Sequence, residues 1–207
     1  MINKALITTL AIAGFAVAAH ATAVPFTFLE NGSNVALGTS STFTESGVTL
    51  TAYGFNGTGG TATLFAKDDG AGSGEQGLGI TSDPTGENEI WGTTFVQIVA
   101  GAGLPTVQVS FGSTTDGEAA NIYYSTTLGT LGTLIGSVTS DTTFAIASAY
   151  QNGYIGIQAG GNNGGTPNVL LGGATLNTPS APDGGTTVAM LGGVLAALGM
   201  ARRKMTV

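Results

Sequence analysis

Hydrophobic and polar positions alternate along most of this chain with a period of two. In Val48-Thr49-Leu50-Thr51-Ala52-Tyr53-Gly54-Phe55, the residues Val48, Leu50 and Ala52 share one face. Thr106-Val107-Gln108-Val109-Ser110-Phe111 repeats the pattern, which predicts Val107, Val109 and Phe111 pointing inward. Gln97 interrupts Phe95-Val96-Gln97-Ile98-Val99 in the way that suits a strand buried on one face. Such alternation fits a half-buried β-strand, because successive side chains leave opposite sides of the pleat. Further strands are predicted at 26–29, 61–65, 120–124, 133–138, 144–147, 154–159 and 169–176. The pairs Asn56-Gly57, Asp116-Gly117 and Asn152-Gly153 supply turn chemistry between them. Roughly ten short strands with Gly-rich turns and no amphipathic run of helical period predict an all-β domain over residues 24–177. The expected architecture is an antiparallel β-sandwich of jelly-roll type.

The pattern changes at both ends. Lys4 precedes a run over residues 5–18 that is apolar apart from Thr8 and Thr9, and Ala19-His20-Ala21 and Ala21-Thr22-Ala23 each offer a small-x-small cleavage site. Residues 1–23 therefore read as a secretory signal peptide, cut after Ala21 or Ala23. At the other end, Thr178-Pro179-Ser180-Ala181-Pro182 forms a linker before Asp183-Gly184-Gly185. Residues 186–201 are then apolar, and Arg202-Arg203-Lys204 follow at once. A linker over 178–185 and a single transmembrane helix over 186–207 with a basic cytoplasmic tail are expected.

This tripartite tail resembles the PEP-CTERM class of bacterial sorting signals, in the variant whose motif reads Val-Pro-Asp-Ser-Gly. Pro182, Asp183 and Gly185 match it, while Ala181 replaces Val and Gly184 replaces Ser. The resemblance implies processing by an exosortase, a membrane-embedded cysteine transpeptidase that cuts near the motif, after transient anchoring in the inner membrane. It also implies delivery to the cell surface or the extracellular space of a bacterium that builds exopolysaccharide. The body resembles, less sharply, the β-sandwich domains found ahead of such tails. That likeness rests on Gly77-Leu78-Gly79-Ile80 with Asn88-Glu89-Ile90 and the strand at 95–99, and on residues 107–124.

Composition narrows the chemistry. The chain has no Cys and one His, and that residue, His20, lies in the signal segment. Serine triads, Cys–His pairs and His-ligated zinc are therefore unavailable to the body. Charged residues are only 8% of the chain. Four of the five basic residues (Lys4, Arg202, Arg203 and Lys204) belong to the ends. The body sets Lys67 against eleven acids, a formal charge of −10. Nucleic acid is excluded as a partner by that balance. Lys67 beside Asp68 reads as a local surface pair of little stability value.

The acids are the remaining reactive groups. Asp68, Asp69 and Glu75 lie in a Gly/Ser loop and are the candidate ligands for a structural calcium ion, the only cofactor considered; Asp83, Glu87 and Glu89 follow in the same acidic segment. The same residues also read as solvated acidic turns, and the spacing departs from an EF-hand because Gly72 and Gly74 stand at ligand positions. Trp91, Tyr123, Tyr124, Tyr150 and Tyr154 offer a sugar-stacking platform or, more commonly, strand-packing aromatics. Three functions remain: a non-catalytic structural or interaction protein of the surface or extracellular matrix, a carbohydrate-binding module acting on exopolysaccharide with or without calcium, and a carboxylate-based glycoside hydrolase. The first is expected. Its processing partners would be signal peptidase and an exosortase-like transpeptidase.

Overall fold

The computed structural model describes residues 21–29, 33–57, 59–69, 75–81, 86–114, 117–161, 166–178, 191–196, 198 and 202. Among the described residues fourteen strands follow one another: β1 Thr22–Thr27, β2 Val35–Gly38, β3 Ser40–Glu45, β4 Val48–Phe55, β5 Leu64–Asp68, β6 Gln76–Ile80 and β7 Ile90–Trp91. They continue with β8 Phe95–Ala100, β9 Thr106–Gly112, β10 Glu118–Ser125, β11 Thr133–Val138, β12 Thr143–Ala145, β13 Tyr154–Gly161 and β14 Asn168–Thr178.

All pairings are antiparallel. One sheet runs β12-β9-β14-β6-β5-β2, with β1 and β7 also paired to β14, and the other runs β11-β10-β13-β8-β4-β3. From β8 onward, every connection except β10–β11 carries the chain from one sheet to the other. A single hydrophobic cluster fills the space between the sheets. Leu50, Ile98, Ile122, Ile155 and Ile157 enter it from one sheet, and Leu64, Leu78, Val109, Leu171 and Leu176 from the other. Two alternating faces thus bury their apolar positions against each other, and the predicted β-sandwich is the observed architecture. This compact unit spans Thr22–Thr178.

Departures from the predicted strands have local causes. Val107 is expected inward, but a register shift between Thr175 and Leu176 of β14 leaves it as the extra residue of a β-bulge. It is half-buried, while Val109 and Phe111 keep their inward phase. The strand expected at 61–65 lies three residues later, because Lys67 and Asp68 pair with Gly77 and Gln76 in a ladder rather than opening a loop. β3 has only one apolar residue, Phe43, yet that ring is fully buried and meets Phe28 edge-on at 5.0 Å. β6 carries two glycines in five residues and so lacks a readable alternation.

Outside the sandwich, the described residues 191–196, 198 and 202 are helical and exposed. Among the described residues no helix is long and apolar enough to cross a membrane. Of the sorting residues named from the sequence, Pro182, Asp183, Gly184, Gly185, Arg203 and Lys204 lie outside the described residues, as does most of the signal segment.

Candidate functional site

The sole lysine of the body is not a surface residue. Lys67 is 6% exposed, and its Nζ lies 2.7 Å from Glu89 Oε1, 2.8 Å from Glu75 Oε2 and 3.5 Å from Asp69 Oδ2. Its chain neighbour Asp68 turns elsewhere. The Asp68 carboxylate accepts from Gln76 Nε2 at 2.8 Å, and its backbone exchanges hydrogen bonds with the Asn34 side chain. The expected Lys67–Asp68 surface pair is therefore replaced by an ion cluster in which Lys67 and Glu89 are buried and Asp69 and Glu75 reach in from the exposed rim.

Glycine makes room for that cluster. Phe65 and Lys67 on β5 face the same side as their cross-strand partners Gly79 and Gly77 on β6. A methyl group at Gly79 would run into the Asn88 carbonyl oxygen and sit 2.8 Å from Glu89 Cα. The absent side chain thus allows the Asn88–Glu89 backbone to lie directly on the sheet and aim Glu89 at Lys67. Asn88 takes a left-handed conformation (φ 61°), as does Ser113 (φ 58°), whose Oγ donates to Glu89 Oε1 at 3.0 Å. Non-glycine residues adopt this region at a cost, and two such residues flank one carboxylate. Gly79→Ala is expected to destabilise the domain by about 1–3 kcal/mol through this overpacking. Gly172→Ala, where the nearest atoms are 3.5 Å away, should be close to neutral, and a urea titration of both variants against the wild type measures the difference.

The electrostatics follow from burial. Glu89 is fully buried, and desolvation pushes its carboxyl up to about 7 against the opposing pull of Lys67 and Ser113, with Glu87 adding to the rise. Among the described residues its Oε2 has no hydrogen-bond partner. Burial alone would lower the Lys67 ammonium, but the hydrogen bonds and charges of Glu75 and Glu89 outweigh it and hold the group above the usual lysine range.

A cavity of about 390 Å³ opens beside the cluster, lined by Asn34, Phe65, Lys67, Asp69, Glu75, Gly86, Glu87 and Asn88. Two of the three candidate calcium ligands, Asp69 and Glu75, reach it, with the Lys67 ammonium between them; Asp68 is held by Asn34 and Gln76. Among the described residues no group of three or more His, Cys, Asp or Glu side chains is placed to hold a metal ion. The candidate aromatics do not converge. Tyr124 and Tyr150 pack together at 5.3 Å against the core, while Tyr123 follows on the opposite face of β10. Trp91 lies on β7, in register with Asn168 of β14, in the sheet opposite β10. Ser113 is not a candidate from the sequence, and Glu89 is one only as part of the acidic segment considered for calcium, not as the partner of Lys67. The signal for them was a lone lysine among eleven acids, on a strand face opposite glycines.

Searches of the curated proteins and of the solved structures return no match to this chain. At the C-terminus, residues 182–205 match the family model of the VPDSG-CTERM motif. The match falls on the segment with Pro182, Asp183, Gly185 and the Arg202-Arg203-Lys204 cluster. It supports a secreted, surface-sorted protein, since motifs of this PEP-CTERM-like kind are generally processed by an exosortase-type enzyme. The chain therefore carries a VPDSG-CTERM sorting motif behind an all-β sandwich.

Proposed function

We propose that the protein is a non-catalytic structural or interaction component of the cell surface or extracellular matrix. It is exported, held at the inner membrane by its C-terminal segment, and released to the surface by an exosortase-like transpeptidase. The observation that carries this reading is the sorting motif at 182–205. The body adds support, because its reactive inventory lacks both His and Cys, and its one lysine is committed to an internal ion cluster.

A second reading, carbohydrate binding, is favoured by the cavity beside Lys67. Its carboxylates, the amides of Asn34 and Asn88, and the ring of Phe65 provide hydroxyl acceptors and donors next to an apolar surface. The two readings part in a pull-down of the full chain on exopolysaccharide from the native host, with and without calcium. The matrix-component reading predicts no saturable, calcium-sensitive retention. Retention that is lost in Glu87→Ala would replace it with the binding module.

A further inference from the structure

We propose that the mature polypeptide begins at Thr22, with signal peptidase hydrolysing the Ala21–Thr22 bond rather than the bond after Ala23. The proposal rests on the export reading above. Water adds across one peptide bond: the Ala21 carbonyl carbon gains the hydroxyl as a carboxylate, and the Thr22 nitrogen leaves as the new α-ammonium.

The sequence leaves two cuts open, since Ala19-His20-Ala21 and Ala21-Thr22-Ala23 both satisfy the enzyme. Strand β1 separates them. It begins at Thr22 and pairs with the end of β14 over six consecutive residues, from Thr22↔Thr178 to Thr27↔Gly173, without a register shift. The Thr178 hydroxyl donates to the Thr22 carbonyl at 3.2 Å. Thr22 and Ala23 are exposed, whereas Val24 is 6% and Phe26 2% exposed and both belong to the core cluster.

Cutting after Ala21 places the new positive charge on an exposed residue and keeps every pair of the strand. Cutting after Ala23 removes the pairs to Thr178 and Asn177. It also puts the charge on Val24, a core residue, where desolvation penalises it. Terminal residues of a strand fray, so Val24 would then spend part of its time out of the core. The Thr22 product has a further geometric property. Its first residue lies opposite Thr178, the last strand residue before the sorting segment. The two processing events therefore flank a single strand pair and leave it whole.

N-terminal sequencing of the full-length gene product recovered from its native host tests this. The expected terminus is Thr22. A Val24 terminus overturns the proposal and leaves export intact, whereas an uncut Met1 terminus overturns both. Ala23→Leu in the full chain gives an independent arm, because it removes the small residue required only by the second cut. The terminus should stay at Thr22 with no precursor accumulating; accumulation of uncut precursor would show that the cut depends on Ala23.

Discussion

Lys67→Met is expected to lower the unfolding free energy by about 3–5 kcal/mol at pH 8, the usual cost of removing one partner from a buried ion pair. The variant leaves Glu89 fully buried without the ammonium that lies 2.7 Å from it. The size of the loss should depend on pH, and the sign follows from Glu89. Its carboxyl is raised from 4.5 to about 7 in the folded protein, so it binds a proton more tightly folded than unfolded. The stabilisation it provides is complete below pH 4.5 and is lost as pH rises through about 7. A shift of that size corresponds to roughly 3 kcal/mol. Without Lys67 the folded-state titration moves higher still, and the alkaline loss deepens. At pH 5 Glu89 is already protonated, so the variant should lie much closer to wild type. Adding Glu89→Gln should recover most of the loss at pH 8, because the amide oxygen still accepts from Ser113 and no charge remains buried. Urea titrations at the two pH values measure all three proteins. Equal stability of Lys67→Met and wild type at pH 8 would remove the ion cluster from the account.

The second large effect concerns location. Deleting residues 182–205, which hold the sorting motif, while leaving the N-terminal segment intact should abolish surface retention. The protein would then be recovered from the periplasm or the medium, and surface-fraction immunoblots should fall to background. In the proposed function the apolar stretch and the Arg202-Arg203-Lys204 cluster act together. An uncharged run followed at once by basic residues stops translocation and keeps the basic end cytoplasmic. Replacing only the basic cluster with Ser should therefore weaken retention less than the full deletion. A deleted protein that stays on the surface would show that the sandwich itself provides attachment.

How much was legible in advance depended on how each feature is encoded. β4 and β11 occupy the predicted bounds, Val48–Phe55 and Thr133–Val138. For β4 the reason is a clean two-residue period, with Leu50 and Ala52 buried and Thr49, Thr51 and Tyr53 more exposed between and beside them. β14 was also readable, as a continuous apolar run, because it lies within its sheet with β9 on one side and β6 on the other. Strands β2, β3, β6 and β7 were not readable. They are short, glycine-bearing or carry a single large apolar residue, and tertiary pairing rather than local pattern makes them strands. The ion cluster was hidden for a related reason. Lys67 and Glu89 are separated by 22 positions, and they meet because Gly79 has no side chain to hold the two backbones apart. The sorting tail, by contrast, is a linear signal written in residue order. Its order of motif, apolar run and basic cluster is legible in the sequence alone.

The most direct test is the C-terminus of the protein found on the surface of its native host, read by intact mass and C-terminal peptide mapping. Processing at the sorting motif predicts a chain that retains Thr178 and lacks the Arg202-Arg203-Lys204 peptide. A surface-exposed chain that still ends at Val207 would contradict it.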